Sequence, residues 1–437
     1  MSGMKKRSAQ MMHTGTGTRQ PAAPFSLLVK PAGADCNIAC DYCFYLEKSG
    51  LYPQSTRHRM SDETLEQLIS GYMATPQPVY SFGWQGGEPT LMGVEFFRRV
   101  TELQRRYGRP GSTVSNGLQT NGIAVTDELA AHLARHNFLV GVSLDGPEKI
   151  HNVYRRTREG NGTYSQVRRG IETLTRHGVE FNILVLVSQA NVGRAREVYR
   201  FLRDEGFYYQ QYIPCVESLP DGSPAPWSIT GEEWGRFHID LYDEWQQNDT
   251  HRVSIRYFDS ILQLLVNGRY AQCTMGGNCA GYLVVEHNGD VYPCDFFVTD
   301  ELRLGNIHTH NWRELATSPL RRKFAAGKTR WPEDCARCEY LPYCSGDCMK
   351  HRPAGEASVL CSGTVAFLDH ALPGFRRLGT EYLAANQAER AGSSTALFLD
   401  SQGRPAAIAG GDESGACYCG SGKLYKNCHG RVSYERT

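Results

Sequence analysis

From Phe25 to about Val216, short β-branched and aromatic runs alternate with longer amphipathic stretches. The runs "FSLLVK", "VYSFGW", "STVSNGLQ", "FLVGVSLDG", "FNILVLVS" and "FYYQQYIP" predict strands. Between them lie helix-like segments such as "SDETLEQLISGYM", in which Leu65, Leu68, Ile69 and Tyr72 share one face behind a Ser61 cap. Six β-then-α units imply a parallel sheet, either an open α/β layer or a partial barrel. Functional residues in such sheets gather at the carboxyl ends of the strands, and "QGGEP", "QTNG" and "SLDGP" each end a predicted strand. Beyond Pro220 the alternation stops. Two helical patterns follow, near Gly231 to Gln246 and Ile255 to Val266, and then a Gly-, Pro- and Cys-rich region from Cys273 to Cys361. That region builds little apolar core, so bound metal is expected to hold it together. After "LDHALPGFRRLGTEYLAANQAERAG" a Gly-, Ala- and Ser-rich linker leads to "CYCGSGKLYKNCHG".

At 437 residues with 41% hydrophobic positions, the chain can fill a sizeable core. A formal net charge of +1 supplies no electrostatic reason to expect nucleic acid or a membrane surface as a partner. No stretch approaches the ~18 consecutive apolar residues of a membrane span. Residues 1–24 have basic groups but no apolar core of a secretory signal, and read as a disordered tail on a cytoplasmic protein. In a reducing compartment, clustered cysteines favour metal or redox cofactors over disulfides.

The 15 cysteines fall into groups: Cys36, Cys40 and Cys43; Cys273, Cys279 and Cys294; Cys335, Cys338, Cys344, Cys348 and Cys361; and Cys417, Cys419 and Cys428, with Cys215 alone. A structural zinc site takes four ligands, as does a fully protein-ligated [4Fe-4S] cluster. The eight between 273 and 361 satisfy two such sites with none left over. The first trio is one ligand short. Either His58 or Asp35 completes a zinc site there, or a cubane leaves one iron free for a small molecule.

The CxxxCxxC spacing of the trio with Tyr42 inside it, followed by "GGEP" at Gly86 to Pro89, resembles the radical S-adenosylmethionine (SAM) superfamily. The resemblance implies a partial (β/α)6 TIM-type barrel and SAM as the missing ligand, chelating the open iron and yielding a 5′-deoxyadenosyl radical. It further implies that Tyr42, Gly87, Ser143, Arg155 and Val216 contact SAM. Gln85, Gln119 and Asn121 are polar candidates at strand ends facing the same cleft. The later cysteines resemble the SPASM auxiliary-cluster domain. By that likeness Cys273, Cys279, Cys294 and Cys348 hold one cluster, and Cys335, Cys338, Cys344 and Cys361 the other.

Within the superfamily, "HNGDVYPCDFF" and "QYIPC" resemble the anaerobic sulfatase-maturating enzymes, which oxidise a cysteine or serine of a sulfatase to Cα-formylglycine. The likeness implies Asp295 as the base, an auxiliary cluster as electron acceptor, a sulfatase polypeptide bearing Cys/Ser-x-Pro-x-Arg as partner, and a reduced flavodoxin or ferredoxin-type donor. "CYCGSGKLYKNCHG" resembles the SEC-C motif, with Cys417, Cys419, Cys428 and His429 as zinc ligands. The expected cofactors are thus three [4Fe-4S] clusters, SAM and one Zn2+. The expected division is a radical SAM core at 25–250, a SPASM domain at 251–375, a helix and linker at 376–412 and the zinc module at 413–432. Two rival readings are a radical SAM/SPASM peptide modifier making thioether or carbon-carbon crosslinks, disfavoured by Asp295, and a non-catalytic zinc-binding adaptor, which leaves "GGEP" unexplained.

Overall fold

The computed structural model describes residues 23–390 except 55, 354 and 355. Each of the six expected runs forms a strand: β1 (Ser26–Lys30), β2 (Val79–Trp84), β3 (Thr113–Thr120), β4 (Leu139–Ser143), β5 (Phe181–Val187) and β6 (Tyr209–Pro214). They lie side by side in chain order, all parallel. The helices between them include α1 (Asp62–Met73), α2 (Gly93–Tyr107) and α3 (Asp127–Arg135). In α1 the Ser61 hydroxyl accepts from the Thr64 amide at 3.1 Å, as a cap should, and Leu65, Leu68, Ile69 and Tyr72 are buried. Alternation along β2 turns Tyr80, Phe82 and Trp84 towards this layer, where they meet Tyr72, Phe96 and Phe97 edge to face.

The sheet does not close. A two-residue strand, Ser254–Ile255, pairs parallel to β6 at one edge, and β7 (Tyr282–Glu286) pairs parallel to β1 at the other. β7 then turns into the antiparallel β8 (Asp290–Tyr292), followed by Gly305–Asn306. The barrel is therefore partial, and its first strand is covered by the cysteine-rich region. Neither β7 nor β8 is among the runs expected from periodicity. "YLVVE" sits among glycines and cysteines, outside the β/α alternation, and its pairing with β1 identifies it.

A single helix, Cys361–Arg390, begins at the last cysteine of the cysteine-rich region and runs through the expected boundary at 375/376. It packs on α4 (Gly231–Asn248) and α5 (Arg256–Asn267) through Phe367 and Phe375 against Tyr242, Trp245 and Phe258. The expected linker and zinc module, with Cys417, Cys419, Cys428 and His429, lie outside the described residues.

Three glycines make that helix crossing possible. A methyl group on Gly363 would lie 1.8 Å from the Gly231 carbonyl oxygen, and one on Gly235 would lie 2.5 Å from the Gly363 Cα. Both partners are backbone, which cannot swing aside. Gly363→Ala is expected to lower stability by about 1–3 kcal/mol or more through overpacking, seen as a lower thermal midpoint. Gly379→Ala, whose methyl would sit 3.6 Å from Val266 Cγ2, should leave the midpoint unchanged or raise it.

Candidate active site

Beyond β1 the chain enters the loop that carries Cys36, Cys40 and Cys43. A short antiparallel pairing of Ala39 with Arg156 and Cys40 with Arg155 anchors it. Cys40, Tyr42, Ile38 and Cys215 form a small buried cluster, with Cys36, Cys43, Tyr154, Leu186 and Trp227 packed around it. Burial pushes the Cys36 thiol up to about 11 and Cys40 up to about 12, and raises Cys43. For Cys36 the Glu88 carboxylate and Cys43 add to the burial effect, and for Cys40 its two sister thiols do, against the Arg155 guanidinium. Burial thus favours the neutral thiols; all three could ionise together only around a cationic centre, which an iron-sulfur cluster would supply. The donors proposed for a zinc site are occupied elsewhere. His58 Nδ1 lies 2.8 Å from Asp35 Oδ1, and Arg59 donates to Asp35 Oδ2 at 2.6 Å.

The "GGEP" turn at the end of β2 closes against this loop. Gly86 has φ +105° and Gly87 φ +48°. A methyl on Gly87 would lie 2.0 Å from the Asp35 carbonyl oxygen, and one on Gly86 would lie 2.2 Å from Lys30 Cδ. Glu88 is buried and accepts from Thr90 Oγ1 and Thr90 N through Oε1, from Thr120 Oγ1 at 2.7 Å, and from the Asn121 amide at 2.7 Å through Oε2. Its carboxyl, raised by burial and pulled back by these donors, ties the ends of β2 and β3 together. Asn121 in turn reaches Cys36 Sγ at 3.6 Å and Asn37 Oδ1 at 2.7 Å, so this strand-end residue touches the trio directly.

"SLDGP" supplies a second buried carboxylate. Asp145 accepts from Arg155 Nε at 2.9 Å, Arg155 Nη2 at 3.3 Å, the Leu186 amide at 2.9 Å and the Tyr42 hydroxyl. Burial opposes its charge, but Arg155, His151 and the hydrogen bonds from Arg155 and Tyr42 outweigh burial and hold it below the ordinary carboxylate range. Arg155 lies beneath the loop, its guanidinium 5.4 Å from the Tyr42 ring centroid. Two of its nitrogens are thus committed within the protein. Ser143, nearly buried, ends β4, and Val216 follows Cys215, whose amide donates to the Val187 carbonyl at 2.9 Å.

Asp295 follows β8, which turns back along β7, and its carboxylate lies between side chains of β7 and β1. Its Oδ1 accepts from the Tyr282 hydroxyl at 3.1 Å, and that hydroxyl also lies 3.2 Å from Cys294 Sγ. Its Oδ2 lies 3.7 Å from Lys30 Nζ. Lys30 is fully buried, its ammonium makes no hydrogen bond, and it sits 4.4 Å above the Tyr45 ring, whose hydroxyl donates to Glu286. Sequence reasoning missed Lys30, Tyr282, Glu88 and Asp145 as site residues. The available signal for Lys30 was a charged residue ending an otherwise apolar central strand.

The eight later thiols are all described. Burial is the largest cause wherever they are raised, and sister thiols are among the lesser ones. Cys273 feels Cys279, Cys348 feels Cys273 and Cys294 feels Cys348. Cys335 feels Cys338, Cys344 feels Cys338 and Cys361, and Cys361 feels Cys335 and Cys338. Among the described residues no three His, Cys, Asp or Glu side chains converge as a single metal ion would require. A cubane asks for a different arrangement, with each thiolate on its own iron.

Residues 31–202 match the Radical SAM superfamily, residues 273–339 the SPASM iron-sulfur cluster-binding domain, and residues 416–431 the SEC-C motif. The chain is 36% identical over 375 residues to the serine-type anaerobic sulfatase-maturating enzyme of Bacteroides thetaiotaomicron, covering 80% of this chain and 90% of that one. It is 36% identical over 358 residues to the cysteine-type anaerobic sulfatase-maturating enzyme of Clostridium perfringens, covering 80% and 97%. Among solved structures, native anSMEcpe with bound AdoMet and the Cp18Cys peptide superposes with a TM-score of 0.76 at 35% identity, over 82% of this chain and 100% of that one.

Two substitutions probe the geometry around the trio. Gly87→Ala forces a methyl into the Asp35 carbonyl, and the anaerobically purified protein should carry about four fewer irons per chain, the content of one cluster, by metal analysis. Asp145→Asn leaves the Arg155 guanidinium buried without its counter-charge and should cost about 3–5 kcal/mol of stability. A thermal midpoint equal to the parent's would contradict that role for Asp145.

Proposed function

Because the chain belongs to the anaerobic sulfatase-maturating enzymes, acting on sulfatases with SAM and iron-sulfur clusters, we propose that it oxidises a cysteine or serine of its target to Cα-formylglycine. The observation that carries this reading is the carboxylate of Asp295, next in sequence to Cys294 and held between Tyr282 and Lys30 at the carboxyl end of β1. Cys36, Cys40 and Cys43 would hold the cluster that binds SAM, and the two sets of four later cysteines the auxiliary clusters. When bound, these groups supply a 5′-deoxyadenosyl radical to take a β-hydrogen of the target residue and an acceptor for the electron that follows.

The chain's own residues do the rest. Tyr42, Gly87, Ser143 and Val216 would line the SAM site; Arg155, committed to Asp145, fixes the loop and brings positive charge beneath it. Asp295 takes the proton, and energetics set the order. Moving a proton from an ordinary thiol (pKa ~8.5) to an ordinary carboxylate (~3.9) is uphill by about 6 kcal/mol. From an alcohol, with bulk water's ~15.7 as a stand-in, it is uphill by roughly 16 kcal/mol. Asp295 therefore acts with or after hydrogen-atom removal, when the carbon radical has acidified the neighbouring sulfur or oxygen. Cysteine gives a thioaldehyde that hydrolyses; serine gives the aldehyde directly. Beyond the described residues, Cys417, Cys419, Cys428 and His429 would bind Zn2+. A reduced flavodoxin or ferredoxin-type protein is the electron donor this reading calls for. No helix among the described residues is long and apolar enough to cross a membrane.

Anaerobic incubation with SAM, reductant and paired peptides containing Cys-x-Pro-x-Arg or Ser-x-Pro-x-Arg should give formylglycine by mass spectrometry. The protein should carry about twelve irons and one zinc per chain. Replacing Cys36, Cys40 or Cys43 should abolish SAM cleavage. Asp295→Asn should retain cleavage while formylglycine falls roughly 100-fold or more. Full product from Asp295→Asn overturns the base assignment, and SAM cleavage by the parent without aldehyde favours a crosslinking chemistry.

A further inference from the structure

Lys328 is fully buried, an expensive place for an ammonium. Its Nζ donates to the carbonyl of Thr274 at 2.9 Å and to that of Asp347. Those carbonyls belong to the residue after Cys273 and the residue before Cys348. One ammonium thus clamps two segments, far apart in sequence, that each carry a thiol of the same set of four. The Lys328 carbonyl in turn accepts from Arg352 Nη2 at 3.0 Å, which joins a second cation to the clamp.

The Lys328 ammonium is thereby fixed one residue from Cys273 and one from Cys348. Both carbonyls that hold the ammonium adjoin cysteines of one set, Cys273 and Cys348.

We propose that Lys328 sets the two auxiliary clusters apart in reduction potential, raising that of the cluster held by Cys273, Cys279, Cys294 and Cys348, so that the electron leaving the target enters there. The inference rests on the reading that both sets of four hold [4Fe-4S] clusters. Adding an electron to a cluster adds negative charge, and a cation fixed in a water-poor site stabilises that charge far more than one in solvent. Four anionic thiolates are also the counter-charge that a buried ammonium needs. The favoured cluster is the one whose ligand Cys294 adjoins Asp295, so the electron and the proton leave the target to neighbouring acceptors.

The test uses the full chain with Cys36, Cys40 and Cys43 replaced by Ala, which leaves only the auxiliary clusters, followed by EPR during redox titration. Lys328→Gln keeps a nitrogen with two donor hydrogens but no charge; Lys328→Met removes both. In both variants one midpoint should fall so that, at a fixed potential, the ratio of reduced to oxidised cluster drops about tenfold, equivalent to 59 mV for one electron. The other midpoint should hold, an internal control for global disturbance. Unchanged midpoints with full iron content would overturn the proposal, as would a shift in Lys328→Met alone, which would make Lys328 a structural clamp only. Iron for fewer than two clusters in the parent of the series would instead overturn the reading beneath it.

Discussion

The arrangement depends on five residues of parallel pairing between β1 and β7, which set Ser26 beside Tyr282 and Lys30 beside Glu286. Parallel neighbours distant in sequence meet only after a long crossover, here one that contains the whole α/β core. The pairing does more than extend a sheet. It brings Lys30, the last residue of the first strand, to Asp295 and within reach of the Tyr45 ring, and it brings Glu286 to the Tyr45 hydroxyl. A fully buried ammonium is tolerable only with such company. Register and electrostatics are thus coupled, because a slip of one residue would turn Lys30 to the other face of the sheet and separate it from Asp295.

At the other strand ends two buried carboxylates play similar mechanical parts with opposite electrostatics. Glu88 and Asp145 each collect donors from a neighbouring strand or loop, and each thereby fixes a wall of the cleft. Glu88 has only neutral donors, so burial prevails and its carboxyl is raised. Asp145 faces Arg155 and is lowered. Both act on the trio, since Glu88 disfavours the Cys36 thiolate while Arg155 favours that of Cys40. The loop is held by one wall that repels added negative charge and another that attracts it.

Much of this was legible in the sequence and some was not, for physical reasons. The six strands and the Ser61 cap follow from local periodicity and side-chain chemistry, and they stand where expected. The trio follows from ligand counting. What periodicity could not reveal is non-local: β7 lies outside the β/α alternation and is identified by its partner, and the helix Cys361–Arg390 crosses a boundary drawn where cysteines end. Arg155 shows the same limit in a side chain. A resemblance marks it as belonging to the site, but only the fold reveals that its guanidinium lies on Asp145. Lys30 and Lys328 look like ordinary lysines in sequence, and burial alone distinguishes them.

The cysteine-rich region is tied to the core by different forces at Cys294 and at Cys361. Cys294 follows β8 and is fastened through strand pairing and the Tyr282 hydroxyl, close to Asp295. Cys361 opens the long helix, and within one turn that helix meets α4 at Gly363, where backbone lies against backbone and no side chain intervenes. Strand pairing is directional and sets a register, whereas a glycine crossing sets closeness and lets aromatic packing from Phe367 and Phe375 supply the energy. A region poor in apolar core is thereby held at both ends by a core that is rich in it. The stretch from Cys294 to Cys361 is fixed by those two anchors.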